Sequence, residues 1–186
     1  MQTPAPSPTI ETPRLLLREL IATDAPALFA IHGNAEAMKL FGTDPLQEPV
    51  QAEGLIEKFA SWHLAANPGV RWGLEEKTTA RLVGTCGLFA WNRDWRKCAT
   101  GYGLDAGSRG KGLMREALQA AFSRGFAQMA LNRIEVQLHP ANEPSLQLAP
   151  RLGFRREGLL REVAHWGGEF HDLLQLGLLR RDWAAS

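Results

Sequence analysis

The sequence predicts an α+β domain: a mixed, mostly antiparallel sheet flanked by helices. Three observations carry this reading. Strand-like segments follow one another in runs, which argues against a repeating βαβ fold. One long amphipathic helix joins two of these segments, as a crossover between parallel neighbours does. The chain is 186 residues long, 45% hydrophobic and 22% charged, enough for one buried core.

The elements follow in order. Residues 1–9 hold Pro4, Pro6 and Pro8 and read as an extended tail, leaving residues 10–186 as a single domain. Residues 13–20, with Leu15, Leu16 and Leu17 between arginines, read as the first strand. Asp24 is placed to cap a helix that has Pro26 in its first turn and runs to about His32. A second helix starts near Pro49, with Leu55, Phe59, Trp62 and Ala66 at helical spacing. The period then changes, and residues 70–75, 82–91 and 99–104 read as strands separated by polar turns.

A long helix is predicted over residues 112–129. Met114, Leu118, Ala121, Phe122, Gly125 and Met129 form its apolar stripe, and most of its charged residues fall opposite. Residues 133–138 form a short strand, followed by a helix around residues 143–151. That helix should be short or irregular, because Pro150 lacks an N–H. Extended structure resumes at Gly153 and Phe154, and the last two strands flank a Gly167-Gly168 turn.

Composition removes several function classes. Net charge is +1, from 21 basic and 20 acidic residues, so there is no bulk electrostatic case for nucleic acid or an anionic membrane. Cys86 and Cys98 have no C-x-x-C spacing and no zinc-ligand set around them, and they read as reduced, buried thiols. The first residues lack a charged n-region and an apolar run, so no secretory signal is expected. No apolar stretch reaches the roughly 18 residues of a membrane span. A cytoplasmic protein is the expectation, with no metal and with a homodimer left open.

The most informative segment runs from Gly101 through Gly103, Asp105, Gly107, Arg109, Gly110, Lys111 and Gly112 to Met114, from a strand through a loop into the long helix. Glycines there let backbone N–H groups approach a ligand. The helix start adds unpaired N–H groups and the positive end of the dipole. Together these make a phosphate cradle suited to a pyrophosphate. A Walker loop fails twice, because Lys111 is followed by Gly112 and the earlier glycine position is Asp105. A dinucleotide fingerprint would need Gly101, Gly103 and Ala106, but those glycines lie within a strand and no repeated βα units surround them.

The segment resembles the signature [Q/R]-x-x-G-x-[G/A] of the GCN5-related N-acetyltransferases, with Arg109, Gly112 and Met114 at the three specified places. Met114 departs from the usual small residue. The resemblance extends from about Glu11 to Trp183 and is closest to the branch that acetylates ribosomal-protein N-termini. Thr12-Pro13-Arg14-Leu15-Leu16-Leu17-Arg18 looks like that branch's opening strand. Asn142-Glu143-Pro144-Ser145 followed by Arg151-Leu152-Gly153-Phe154 looks like its later strand–helix–strand passage, and His171-Asp172 and Asp182-Trp183 like its close.

That resemblance implies a seven-stranded, mostly antiparallel mixed sheet splayed between strands four and five, with about four helices. It implies acetyl-CoA as co-substrate, its pantetheine arm pairing with Gly103, Leu104 and Asp105. It implies a pyrophosphate held by the N–H groups of Arg109, Gly110, Lys111, Gly112, Leu113 and Met114. Asn142 would hydrogen-bond the pantetheine amide, and Ser145 would sit near the sulfur. The implied partner is an amine acceptor, a protein N-terminus or a small molecule; a non-catalytic acyl-CoA sensor is the rival of another class.

Acetyl transfer to an amine needs a neutral amine, a donor for the oxyanion and a proton for the sulfur. The N–H of Leu104 is the candidate oxyanion donor and requires the splay to be free. Relatives that protonate the sulfur with a tyrosine carry it where this chain has Ala149, so Ser145 is the candidate here; Tyr102 reads as structural. Glu135, His139, Glu162, His165 and His171 are candidate bases. His165 is preferred, beside Ala164, where some relatives place a carboxylate. Trp62, Trp91 and Trp95 are candidate walls of the acceptor cleft.

Overall fold

The computed structural model describes residues 9–183; residues 1–8 of the expected tail lie outside them. Eight strands form one sheet: β1 (Ile10–Glu11), β2 (Leu15–Arg18), β3 (Val70–Glu76), β4 (Arg81–Asn92), β5 (Lys97–Leu104), β6 (Arg133–Leu138), β7 (Arg155–Trp166) and β8 (Glu169–Leu179). Their spatial order is β1-β2-β3-β4-β5-β6-β8-β7. Neighbours are antiparallel except β5 and β6, which the long helix α4 (Leu113–Gln128) joins as a crossover.

The class matches the expectation; the counts need two corrections. The sheet has eight strands rather than seven, because Ile10 and Glu11 pair with Leu17 and Leu16 as a two-residue edge. The described residues form six α-helices rather than about four. Besides α1 (Ala25–His32), α3 (Val50–Ser61), α4 and α5 (Glu143–Arg151), the one-turn helices α2 (Ala35–Met38) and α6 (Arg180–Trp183) occur. Such short pieces have no hydrophobic period to read and are held by their surroundings.

The sheet carries helices on both faces. Leu82 and Val83 of β4 point to opposite sides, as successive strand residues must. Leu82 joins Leu20, Ala25, Leu28, Ala52 and Ile56 in the cluster under α1 and α3. Val83 joins the main core with Leu113, Leu118, Phe122 and Phe126 of α4. Helix α4 lies close to the sheet because Gly125 is small. A Cβ there would come within 2.8 Å of the Leu88 side chain.

Asp24 is not the cap that the sequence suggested. Its carboxylate accepts from Arg18, at 2.7 and 2.9 Å, and from the Ile21 N–H at 2.9 Å, while α1 starts without a side-chain cap. Pro150 falls in the last turn of α5, so the helix runs nine residues and ends there.

Candidate active site

The sheet opens between β5 and β6. Their pairing runs from Lys97↔Arg133 to Ala99↔Glu135 and stops. Beyond that point β5 stays paired with β4 to Leu104, and β6 stays paired with β8 to Leu138. The facing edges, residues 100–104 and 136–138, are therefore unpaired with one another. The Asp105 N–H donates to the Val83 carbonyl at 2.9 Å. Antiparallel alternation then assigns Gly103 and Gly101 to the β4 ladder and turns the Leu104 and Tyr102 amides toward the opening. Leu104 thus has the free N–H that an oxyanion donor requires.

A cavity of about 630 Å³ runs into this seam. Ala99, Thr100, Gly101 and Tyr102 line it from β5, and Val136, Gln137 and Leu138 from β6. Asn142 and Ser145 border it from α5. His32, Lys58, Phe59, Trp62 and Arg71 wall the side toward α1 and α3. Gly101 and Gly103 face that side; a Cβ on Gly103 would meet the Phe41 ring at 3.0 Å. Their missing side chains keep this wall clear.

The cradle lies at the far end of β5. Gly110 and Gly112 both have φ +76°, the left-handed region that glycine adopts without strain. The first helical bond of α4 runs from the Glu116 N–H to the Gly112 carbonyl at 3.2 Å. The amides of Gly112, Leu113, Met114 and Arg115 precede it and have no acceptor within the helix. They are the orphan donors a pyrophosphate would take. The Asp105 carboxylate accepts from the Ser108 N–H and hydroxyl, at 3.0 and 2.7 Å, and so shapes the loop rather than facing a ligand.

The site residues expected from sequence fare differently. Ser145 lies at the cavity, in the first turn of α5. Asn142 lies there too, but its side chain is largely engaged. Its Oδ1 caps α5 at the Ser145 N–H (3.3 Å), and its Nδ2 donates to the Leu40 carbonyl (3.1 Å). His165 is not brought to the site. It is exposed on the β7–β8 hairpin, with its ring 4.8 Å from that of Phe170. Its neighbour Trp166 turns inward instead, donating to the Lys39 carbonyl and stacking on His171 at 3.6 Å. Of the three tryptophans, Trp62 lines the cavity, whereas Trp95 is exposed. Trp91 packs against the main core. Ala149 is buried in the core and is not among the residues that line the cavity.

Tyr102 lies in the site rather than serving only as structure. Its hydroxyl is buried without a hydrogen-bond partner among the described residues. Burial pushes its pKa up to about 12, with Ser145 pulling slightly the other way. The signal in the sequence was the residue's place on a strand edge that opens, which only the pairing reveals.

Among the described residues that line the cavity, the carboxylates and histidines are engaged or weak as bases. Glu135 is held by Arg133 at 2.7 Å and Lys97 at 3.3 Å. Asp44 accepts from the Gly167 N–H at 2.7 Å. His139 Nδ1 accepts from the Ala141 N–H at 3.1 Å, so the neutral ring carries its proton on Nε2. Burial and the neighbouring His171 lower its pKa. Burial, then the charge of Arg71, lower that of His32 to about 4. Cys86 and Cys98 are buried thiols whose pKa values burial pushes up to about 12, unsuited to act as nucleophiles.

With the seam and cradle described, the class is that of an acyl-CoA-dependent transferase domain, and comparison with known proteins gives the family. The acetyltransferase (GNAT) domain model matches residues 14–155. The chain is 33% identical over 165 residues to the uncharacterised N-acetyltransferase YoaA of Bacillus subtilis, covering 89% of this chain and 93% of that protein. It is 35% identical over 86 residues to the ribosomal protein uS5-alanine N-acetyltransferase of Escherichia coli, covering 46% and 44%. The fold is that of the Vibrio cholerae spermidine N-acetyltransferase, solved with CoA and spermine. That match has a TM-score of 0.79 at 22% identity and covers 93% of this chain and 99% of that one. The chain belongs to the GNAT acetyltransferases and is an N-acetyltransferase of that type.

Proposed function

We infer that this enzyme transfers acetyl from acetyl-CoA to an α-amine, as a peptide or protein N-terminus presents it, by direct attack in a ternary complex. The observation that supports this is the unpaired seam beyond Ala99↔Glu135: its β5 edge borders the cavity at Thr100–Tyr102 and continues along the chain to the glycine loop before α4. The orphan amides from Gly112 into the first turn of α4 hold the pyrophosphate, and the open β5 edge at Tyr102 and Leu104 faces the pantetheine arm; Gly103 and Asp105, expected to pair with it, are instead bonded to β4, and the Arg109 N–H to the Ala106 carbonyl. The acceptor nitrogen bonds to the thioester carbonyl carbon, the Leu104 N–H holds the oxyanion, the attacking nitrogen gives its extra proton to water, and the C–S bond breaks as the thiolate takes a proton. Tyr102, beside Ser145, is the donor best placed for that proton.

The choice of an α-amine follows from the missing base. An α-amine of pKa about 7.8 is roughly 14% neutral at pH 7, against about 0.04% for a lysine. A cavity whose carboxylates are engaged, and whose His32 and His139 have lowered pKa values and so accept a proton weakly, suits the first. The uS5-alanine enzyme among the relatives agrees. The spermidine enzyme of the same fold keeps a small polyamine as the alternative acceptor.

Initial rates of thiol release, with both substrates varied, test the mechanism. Intersecting reciprocal plots are expected; parallel plots would indicate a covalent acyl-enzyme and overturn direct attack. Turnover of spermidine but not of Ala- or Ser-started peptides would replace the α-amine by the polyamine.

A further inference from the structure

Arg71, on β3, is a buried cation with no carboxylate counter-charge among the described residues. Its Nε and Nη2 donate to the Thr85 hydroxyl at 3.2 and 2.8 Å, and its Nη1 donates to the Gly101 carbonyl at 3.0 Å. All of these acceptors are neutral. No carboxylate pairs with Arg71 among the described residues, whereas Arg18 and Arg133 each hold two. Burial lowers its pKa to about 10, so it remains charged at neutral pH. Two of the five guanidinium N–H groups are left uncommitted.

The surroundings of Arg71 suit an anion. The guanidinium lines the cavity together with His32 and Lys58. His32 Nε2 is buried and has no hydrogen-bond partner among the described residues. The Phe59 ring lies 5.1 Å from the guanidinium carbon and excludes water from that side. The carboxylates of the cavity are occupied elsewhere, Glu135 with Lys97 and Arg133 and Asp44 with the Gly167 N–H. Burying a charge without a partner is strongly unfavourable, and such charges are normally paired. An incoming oxyanion would supply the missing pair through a charge-assisted bond to each free N–H.

We propose that the Arg71–His32 corner binds a carboxylate carried by the acceptor, so that the substrate is an amine that also bears a carboxylate. The inference rests on the acceptor reading above and narrows it. The carboxylate has two possible sources with the same chemistry: the α-carboxylate of a free amino acid, or an acidic side chain next to a peptide N-terminus.

Product-like ligands test the corner without requiring turnover. N-acetylalanine against N-acetylalaninamide, and N-acetyl-alanyl-glutamate against the glutamine analogue, are titrated into the full-length protein. Calorimetry and the His32 ring resonances are followed. The carboxylate member of at least one pair is expected to bind tenfold tighter or more, about 1.4 kcal/mol. Preference in the first pair assigns the α-carboxylate, and preference in the second assigns the side chain. Arg71→Gln is expected to erase the preference while acetyl-CoA affinity stays within twofold. Equal affinity within both pairs in the wild-type protein overturns the proposal, whatever the variant does. The acceptor reading fails separately: carboxylate preference without turnover of any α-amine sinks that reading and leaves the anion site standing.

Discussion

Arg14 pins the cradle to the first turn of α4: its Nε lies 2.6 Å from Glu116 Oε2, and its Nη1 donates to the Lys111 carbonyl at 2.9 Å. Burial pushes the Glu116 carboxyl up, but the bonds from Thr12 and Arg14 outweigh this, and its pKa ends below the ordinary range. The Arg14 side chain is half exposed, so the pair adds less than about 1 kcal/mol to stability. Its value lies in loop geometry. Arg14→Ala is expected to weaken acetyl-CoA binding about three- to tenfold by calorimetry and to move Tm little. Unchanged affinity would show that the cradle does not depend on this contact.

Gly112 sits at φ +76° immediately before α4. An alanine there strains the backbone by about 1–2 kcal/mol, although its Cβ would have room, the nearest atom being Arg14 Nη2 at 3.6 Å. A tryptophan adds bulk over the orphan amides as well. Gly112→Trp, shown to be folded by circular dichroism, is expected to lose acetyl-CoA affinity by more than tenfold. A folded variant with wild-type affinity would refute this placement of the pyrophosphate.

Tyr102 and Ser145 compete for protonating the sulfur. Tyr102 stays protonated across the working pH range, since its pKa is pushed up to about 12. Tyr102→Phe is expected to lower kcat by about a hundredfold with the KM for acetyl-CoA little changed, and Ser145→Ala by less. An unaltered kcat in Tyr102→Phe with a strong loss in Ser145→Ala would reverse the assignment.

Those two residues also show how far the sequence could be read. The apolar stripe after the glycine loop places α4 to within a residue, because the signal is local. Ser145 follows from the resemblance of the Asn142–Ser145 stretch to the family. Tyr102 does not, because its role depends on where β5 stops pairing with β6, a relation between strands far apart in the chain. His165 is misread for a similar reason. Beyond the irregularity between Leu160 and Ala164 the pairing is continuous, so Ala164 and Trp166 share one face and His165, between them, takes the exposed one. Arg71 carries no signal at all in a charged strand until its burial beside Thr85 is seen.

His32 makes stability depend on pH. Its pKa in the fold is about 4 through burial and the charge of Arg71, against an ordinary value of 6.5. The unfolded chain takes up a proton as pH falls below 6.5 and the folded protein does not. The contribution is therefore intact above pH 6.5 and lost as pH falls toward 4, on the order of 2 kcal/mol by pH 5. Urea titrations at pH 7 and pH 5 are expected to show that loss, and His32→Gln to reduce it. A wild-type stability that does not fall between these pH values would contradict the buried, neutral imidazole.

Transfer to an α-amine is tested most directly with one peptide in two forms. An Ala-started peptide containing an internal lysine is compared with the same peptide blocked at its N-terminus, at pH 7 with saturating acetyl-CoA, by thiol release and product mass. The account predicts one acetyl group on the α-amine of the free peptide and no turnover above background with the blocked one. Equal turnover of both forms, with acetyl on the lysine, would contradict it.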